Sequence, residues 1–284
     1  MTILVTGATG FLGQAILPLL AQRGEVVALH RPGSPPPDSD GVRWIGQDLA
    51  SPLSDDLPDR IDAVFHLAQS RRYREFPDGA VDVMEVNTMA TTRLLDYCRR
   101  AGGETFVYAS SGAVNGAGPK PIFEDDPPSP SNLYAISKRA GERVVEQFRS
   151  VMRAHSLRYF FIYGPGQQGM MMPGIMQRIS SGQEVQLAGE NGIAMNPVYV
   201  EDAARATAAA LDLSDSATVN VAGPGTVNIR QIAGIIGDQL GVEPRFANGA
   251  AQPDFVASIE LMSALLPTPR TSPQEGLARM VAAR

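Results

Sequence analysis

Eight residues near the N-terminus constrain the fold of this 284-residue chain more than any other segment. The segment Thr6-Gly7-Ala8-Thr9-Gly10-Phe11-Leu12-Gly13 follows a short apolar run, and a helical pattern of apolar residues begins within it. The three glycines allow a tight turn, a close approach of a pyrophosphate to the backbone, and close packing of the helix on the strand. The turn therefore predicts a dinucleotide site at Gly7, Gly10, Phe11, Leu12 and Gly13. A glycine-rich turn without a ligand is the alternative.

Apolar runs alternate with helical patterns through the first 165 residues. The predicted strands are 3–5, 26–29, 42–45, 61–67, 105–109 and 157–162. The predicted helices begin near Phe11 and span about 78–100 and 131–149, and a loop rich in Pro, Gly and Ser covers 31–41. Continuous apolar strands that alternate with helices indicate a parallel sheet covered on both faces. The predicted fold class is α/β, with a doubly wound parallel sheet of the Rossmann type.

The sequence changes character after Tyr163-Gly164-Pro165-Gly166, where methionines and shorter helical patterns follow. A strand pattern returns at 218–221, and a helix is predicted at 229–240. We therefore predict two interleaved parts. Residues 1–165 with about 194–222 form the dinucleotide-binding domain, and about 166–193 with 223–284 form a smaller substrate-binding lobe.

Composition limits the classes of partner. The net charge of −6 argues against nucleic acid, which selects for basic surfaces. No apolar run approaches the roughly 20 residues that span a bilayer, and no secretory signal is recognised, so we expect no membrane and a cytoplasmic protein. One cysteine, Cys98, allows no internal disulfide and is expected to be a packed thiol. With three histidines in the chain, we expect no metal site and a small-molecule substrate.

The end of the second predicted strand bears on the choice of cofactor. Dinucleotide-binding folds usually place an acidic residue there to hold the ribose 2′-hydroxyl, whereas this chain has Leu29-His30-Arg31. An arginine at that position suits a 2′-phosphate, so NADP(H) is favoured, with NAD(H) as the alternative. Arg31 could also be a solvated loop residue.

Tyr134 and Lys138 are spaced i, i+4 at the start of a predicted helix and therefore share one face. A neighbouring ammonium group favours a phenolate and lowers the pKa of the tyrosine from its usual value near 10. Such a tyrosine can exchange a proton with a substrate oxygen near neutral pH. Ser110 and Ser111 end the fifth predicted strand, at the edge where doubly wound sheets bind ligands. An exposed tyrosine above a solvated lysine, beside two turn-forming serines, is the structural alternative.

These features occur in an order that resembles the extended short-chain dehydrogenase/reductase family, in its NAD-dependent epimerase/dehydratase branch. The glycine turn is similar to TGxxGxxG, and Tyr134 to Lys138 is similar to YxxxK. The other matching segments are Asp48-Leu49, His66-Leu67-Ala68-Gln69, Asn87, Tyr108 to Gly116, Arg158 to Gly166, Asn196 to Asp202 and Glu275-Gly276-Leu277. The resemblance extends almost from end to end.

The resemblance implies a hydride transfer between nicotinamide C4 and a carbinol carbon. Tyr134 would be the acid/base, Lys138 would lower the pKa of Tyr134 and hold the nicotinamide ribose, and Ser111 would orient the substrate oxygen. Besides His30 and Arg31 after the second strand, further cofactor contacts are expected at Asp48, Leu49, Leu67, Ala68, Gln69, Asn87 and Tyr134. The family often pairs the helices at about 78–100 and 131–149 across a dimer interface, which implies a homodimer.

Three departures from the family pattern narrow the reaction. Gly112-Ala113 follow Ser111 where sugar-nucleotide dehydratases carry Asp-Glu, which argues against loss of water. Phe161 stands where the family often has an asparagine that holds a nucleotide-sugar diphosphate, and Gly192 to Met195 lack a frequent arginine. These two departures weaken the case for a nucleotide sugar. Met170 to Met172 indicate either an adaptable apolar wall or, as the preferred interpretation, core packing.

Three functions remain open at this point. The first is an oxidoreductase that transfers a hydride to or from a sugar-like ketone or secondary alcohol, which Arg31 favours because net reduction commonly draws on NADPH. The second is a sugar epimerase that retains its cofactor, which the extent of the resemblance favours. The third is a non-catalytic dinucleotide sensor, which would tolerate the loss of Tyr134 or Lys138 although both are present.

Overall fold

The computed structural model describes residues 1–34, 36, 41–118 and 121–284. The strands in these residues are β1 (Thr2–Thr6), β2 (Glu25–His30), β3 (Val42–Gly46), β4 (Ala63–His66), β5 (Thr105–Ser111), β6 (Arg153–Tyr159), β7 (Val185–Ala188), β8 (Ala194–Met195), β9 (Thr218–Val221), β10 (Val227–Asn228) and β11 (Phe246–Gly249). The α-helices are α1 (Phe11–Ala21), α2 (Ala80–Met84), α3 (Ala90–Arg100), α4 (Leu133–Phe148), α5 (Met171–Ser180), α6 (Val200–Ala209), α7 (Ile229–Leu240), α8 (Glu260–Leu265) and α9 (Pro273–Ala282).

Seven strands form the main sheet, in the order β3-β2-β1-β4-β5-β6-β9. The four pairings from β3 to β5 are parallel, and Leu4, for example, lies between Val27 and Val64. β1, β4 and β5 are almost entirely buried, as expected for parallel strands covered on both faces. The predicted doubly wound parallel sheet is confirmed. The chain order reverses beside β1, which places the glycine turn at the carboxyl edge where such sheets bind ligands.

The described chain divides into two compact units. Unit 1 comprises 1–116, 127–158 and 204–219, and unit 2 comprises 117–126, 159–203 and 220–284. This division assigns 117–126, 159–165, 194–203 and 220–222 to unit 2, whereas the sequence-based boundaries place them with the dinucleotide-binding domain. The proposed roles of the two parts stay predictions.

Each unit has its own hydrophobic core. In unit 1, Leu4, Val64 and Phe106 from the sheet pack with Leu94 and Leu95 of α3. In unit 2, residues from α5, α7 and α9 pack around a fully buried tyrosine, and this core includes Met172, Ile175, Ile232, Leu277 and Tyr163. Cys98 is fully buried in the unit 1 core, where burial raises the pKa of its thiol to about 12. The expectation of a packed thiol is therefore confirmed.

Two elements differ most from the sequence-based prediction. The sixth strand spans Arg153–Tyr159 rather than 157–162, because its first half carries polar residues that are nevertheless buried. It ends early because Phe161 adopts a left-handed backbone conformation with φ of 47°. The helix expected over about 78–100 is interrupted by a π-helical turn, Glu85–Met89, between α2 and α3. Insertions of this kind into α-helices often occur at functional sites.

Candidate active site

The glycine turn joins β1 to α1 with a geometry that only glycine permits at two positions. Gly7 has φ of 69°, and a side-chain carbon added there would lie 2.6 Å from the Ala68 backbone nitrogen. A carbon added at Gly13 would lie 2.2 Å from the Gly7 carbonyl oxygen. Gly10 is the N-cap of α1 and makes no side-chain cap hydrogen bond. The first-turn N–H groups, including those of Phe11 and Leu12, can therefore face an anion at the positive end of the helix.

The residues after β2 and β3 lie at the same sheet edge as the glycine turn. His30 Nδ1 donates to the carbonyl oxygens of Arg31, at 3.1 Å, and Ser34, at 2.9 Å, so its ring is fixed beside the strand end. The Arg31 side chain is exposed. The Asp48 carboxylate accepts a hydrogen bond from the Ala50 N–H at 3.1 Å, and Leu49 packs partly against the core. The predicted loop at 31–41 lies partly outside the described residues.

The segment after β4 contacts the glycine turn. The Ala68 N–H donates to Thr6 Oγ1 at 3.2 Å, and the Leu67 N–H donates to the Thr6 carbonyl oxygen at 3.2 Å. His66 is fully buried between the hydroxyls of Thr6, at 2.7 Å, and Thr91, at 3.0 Å. Burial lowers the pKa of His66 to about 3, with a further contribution from the charge of Lys138. His66 therefore stays neutral and holds β4 against β1.

Asn87 lies in the π-helical turn and is fully buried. Its side-chain oxygen accepts from the Ser70 N–H at 2.8 Å, and its amide donates to Ser137 Oγ at 2.9 Å. The residue therefore connects the loop after β4 to α4. The predicted cofactor contact of Asn87 stays a prediction, and these contacts give the residue a positioning role as well.

Ser111, Tyr134 and Lys138 meet within unit 1. Ser111 ends β5, where its hydroxyl caps a short 3₁₀ turn by accepting from the Ala113 N–H at 3.2 Å. The hydroxyl of Tyr134 donates to Gln69 Oε1 at 3.2 Å, and the Ser111 side chain is near enough to act on the pKa of Tyr134. Lys138 is almost completely buried, and its Nζ donates to the Ala109 carbonyl oxygen at 2.8 Å. Lys138 Nζ lies 6.0 Å from the centre of the Tyr134 ring.

The pKa values of this pair differ from the sequence-based expectation. Burial raises the pKa of Tyr134 to about 12, and the hydrogen bond with Ser111 opposes that shift. Burial also lowers the pKa of Lys138 to about 7, although the charge of Glu142 opposes that shift. The expected lowering of the tyrosine pKa by a lysine ammonium is therefore wrong for the protein alone. The reason is that desolvation disfavours the charged form of both side chains.

A buried ion pair that the sequence analysis missed supports this site. The Glu142 carboxylate accepts from Ser110 Oγ at 2.6 Å and from Arg158 Nε at 2.8 Å. A second Arg158 nitrogen, Nη1, donates to Asn115 Oδ1 at 3.0 Å. Burial alone would raise the pKa of Glu142, but hydrogen bonds and charge from Arg158 hold that pKa below its ordinary value. Glu142 lies four residues after Lys138 on α4, and the i, i+4, i+8 spacing from Tyr134 was the available signal.

Two of the three departures from the family pattern, at Phe161 and at Gly192 to Met195, lie in unit 2, whereas Gly112-Ala113 lie in unit 1. Phe161 is the one non-glycine residue with positive φ in the described part of the chain. Gly192 also has positive φ, and a side-chain carbon there would lie 2.6 Å from Ile229 Cβ. Met172 is buried in the unit 2 core as expected, whereas Met170 is largely exposed.

Neither a membrane-spanning helix nor a cluster of metal ligands occurs in the described residues. The helices there are too short or too polar to cross a bilayer. No group of three or more His, Cys, Asp or Glu side chains suited to hold a metal ion occurs over 1–34, 36, 41–118 and 121–284.

The fold and this constellation define a dinucleotide-dependent enzyme of the hydride-transfer type. The model of the NAD dependent epimerase/dehydratase family matches residues 3–229, and the chain belongs to that family. The expected membership of this family and the expectation of a nicotinamide-dinucleotide-dependent reductase or epimerase are thereby confirmed. The alternative of a non-catalytic sensor is set aside.

Individual relatives differ in the molecules that their names and titles mention. The dTDP-4-dehydro-6-deoxy-D-allose reductase of a Streptomyces species is 28% identical over 277 residues, which cover 89% of this chain and 85% of that protein. The 2-alkyl-3-oxoalkanoate reductase of Stenotrophomonas maltophilia is 31% identical over 217 residues, which cover 72% of this chain and 64% of that protein. A solved structure of MoeE5 in complex with UDP-glucuronic acid and NAD is 29% identical, covers 100% of this chain and 98% of its own, and has a TM-score of 0.85.

Proposed function

We propose that this chain is a reductase that transfers a hydride from a nicotinamide dinucleotide to a sugar-like ketone, with the oxidation of a secondary alcohol as the reverse reaction. The observation that carries the proposal is the meeting of Tyr134, Ser111 and Lys138 in unit 1. Reductases among its relatives act on a dTDP-linked keto-sugar and on an oxoalkanoate, as their names state. The substrates of both relatives therefore contain a ketone, whereas the rest of the substrate molecule differs.

The residues of the glycine turn suit the dinucleotide. A side-chain carbon at Gly7 or Gly13 would collide with neighbouring backbone atoms, so the turn keeps this shape only with glycine at both positions, and the N-terminus of α1 has no side-chain cap. We propose that the pyrophosphate lies against Gly10, Phe11 and Leu12, and that Lys138 holds the nicotinamide ribose. The bound dinucleotide supplies the hydride at nicotinamide C4. Asp48, Leu49, Leu67, Ala68, Gln69 and Asn87 are proposed to line the cofactor.

The protonation states support reduction. Because the pKa of Tyr134 is raised to about 12, its hydroxyl is protonated at neutral pH and can act as the acid. As the carbonyl carbon gains hydride, the carbonyl oxygen takes the Tyr134 proton, and an alcohol and a phenolate result. A protonated Lys138 stabilises that phenolate, which then regains a proton from solvent. Ser111 also donates to the reacting oxygen and orients it.

Net cofactor consumption tests the proposal. The protein would be incubated with keto-sugars, nucleotide sugars and simple ketones, and both the reduced nicotinamide and the product stereochemistry would be followed. We expect stoichiometric loss of reduced cofactor with one of the ketones. Inversion of a carbinol centre without net consumption would instead establish the second candidate, an epimerase, which membership of this family favours.

Cofactor preference is a separate proposal, and it depends on Arg31. If the exposed guanidinium pairs with a 2′-phosphate, Arg31→Ala should weaken NADPH binding by about fivefold, since an exposed charged contact contributes about 1 kcal/mol. Binding of NADH should stay within about twofold. Arg43→Ala is the matched control, because Arg43 is an exposed arginine on β3, paired with Val27 three residues before the end of β2. Unchanged NADPH affinity in Arg31→Ala would remove Arg31 from the site.

Three further proposals concern organisation. Unit 1 is proposed to bind the cofactor and unit 2 the substrate. A homodimer is supported by exposed apolar side chains on the helices that the family pairs, namely Val81, Met89 and Ile136. A cytoplasmic location is supported by the single cysteine, Cys98, which is buried as a thiol.

A further inference from the structure

A cavity of about 620 Å³ lies within unit 2. Its size falls in the range of about 300–1,000 Å³ that is typical of small-molecule sites. The walls come from α5, β7, the start of α7 and the segment after β11. Apolar side chains form most of this surface, and the largest are Phe161, Phe255, Met171, Ile175, Ile193 and Ile229.

The polar side chains of the lining are few and exposed. Arg178 is the one ionisable side chain among the described residues that line the cavity, and its Nη1 already donates to the Glu184 carbonyl oxygen at 3.0 Å. Gln186 and Gln252 are exposed as well. A nucleoside diphosphate needs several donors to replace its hydration, because burial of an unpaired charge is costly. This lining suits a hydrocarbon group far better than a diphosphate.

Phe161, which lines the cavity, has an unusual backbone conformation. Its φ of 47° is tolerated by glycine and asparagine but costs free energy for a large side chain. Such strain persists where the surroundings enforce it, and it is concentrated at ligand sites. The Phe161 ring is fixed edge-to-face against Phe255, with ring centres 5.5 Å apart, and the Phe255 N–H donates to the Ala194 carbonyl oxygen at 2.8 Å. Phe161 thus contributes an aromatic ring to the cavity wall although its backbone conformation is unfavourable.

We propose that this cavity binds an alkyl or acyl chain of the substrate, in the place where relatives that act on nucleotide sugars would need polar contacts. The inference rests on the proposed hydride transfer and specifies the group that the reacting ketone carries. Burial of each CH₂ should then tighten binding by about fourfold until the cavity is filled. Selectivity should depend on chain length and little on charge.

Gly174 offers a way to fill the cavity without disturbing the fold. It lies on the lining within α5, and a side-chain carbon added there meets no atom within 4 Å. Gly174→Leu should therefore place its side chain in the cavity and favour the helix. Gly234→Leu is the matched control, because Gly234 lies within α7 of the same unit, has equally open space, and does not line the cavity.

The test uses straight-chain methyl ketones of increasing length, with UDP and UDP-glucose as competing probes. Calorimetric titration of the cofactor-loaded protein is expected to show affinity that rises with chain length. Gly174→Leu should weaken binding of the longest ketone at least about tenfold, since several buried CH₂ contacts are lost. The affinity of Gly174→Leu for the cofactor should stay within about twofold of the wild-type value. Gly234→Leu should bind both the cofactor and the ketones within about twofold of wild type.

Turnover measured in parallel separates the two proposals. Chain-length-dependent binding that Gly174→Leu abolishes, without reduction of any ketone, would support the cavity assignment and count against the proposed function. Reduction of ketones without any dependence on chain length would overturn the cavity assignment alone. Binding of UDP or UDP-glucose that is lost in Gly174→Leu would also overturn it.

Discussion

Tyr134→Phe is expected to lower kcat by about 10²- to 10⁴-fold, the usual contribution of a general acid. The substitution removes the hydroxyl that donates to Gln69, and it keeps the aromatic ring beside Lys138. The dissociation constants of the dinucleotide should change by less than about threefold, because the glycine turn is untouched. Steady-state rates with the best ketone, together with a fluorescence titration of the reduced cofactor, provide the measurement.

Tyr97→Phe is the control for loss of a tyrosine hydroxyl. Tyr97 lies in the unit 1 core, and its hydroxyl donates to the Pro58 carbonyl oxygen at 2.7 Å. This variant should lose about 1 kcal/mol of stability and keep its kcat. A Tyr134→Phe enzyme as fast as the wild type would remove Tyr134 from the proton transfer.

Lys138→Met is expected to lower kcat/KM by about 100-fold or more, since an electrostatic partner of the developing phenolate is lost. The pH profile gives a sharper test. Because the pKa of Lys138 is about 7, the ammonium is present below that pH and is lost as the pH rises through it. The wild-type rate of reduction should therefore fall above about pH 7, as the Lys138 ammonium loses its proton. The fall should be missing from the residual activity of Lys138→Met.

Arg143→Met is the control for a lost cation on the same helix. Arg143 is largely exposed and pairs with Glu146. It should retain both the rate and the pH profile of the wild type, because an exposed ion pair contributes little. A pH profile of Lys138→Met that still falls near pH 7 would assign that ionisation to another group.

The local parts of the site could be predicted from the sequence because their signals are short in range. The spacing of Gly7, Gly10 and Gly13 indicates a strand-to-helix turn, and the i, i+4 spacing of Tyr134 and Lys138 places them on one face. The fold class follows from the alternation of apolar strands and helices. Each of these inferences uses residues that are close in sequence.

Other features depend on residues that only the folded chain brings together. The hydrogen-bonded ion pair between Glu142 and Arg158 joins α4 to β6. The first half of β6 is polar in sequence and therefore lacks the pattern of an apolar strand, yet most of its residues are buried. The raised pKa of Tyr134 and the lowered pKa of Lys138 follow from burial, which local spacing does not report.

The cavity of unit 2 could not be predicted for the same reason. Its walls come from segments as distant in sequence as Phe161, Ile229 and Phe255. The methionine-rich stretch favoured core packing, with an adaptable apolar wall as the alternative, and the structure has Met172 in the core and Met171 on the cavity lining. The substitution of Phe161 for the asparagine of the family becomes informative only once its backbone conformation is known.

The central claim is that hydride passes between nicotinamide C4 and a carbinol carbon beside Tyr134. The most direct measurement uses reduced cofactor carrying deuterium at C4, with the ketone that the turnover assay identifies, and locates deuterium in the product by NMR. We expect one deuterium on the carbinol carbon and a hydroxyl proton derived from solvent, with formation of this product slowed in Tyr134→Phe. A product whose new hydrogen on that carbon comes from solvent would contradict it.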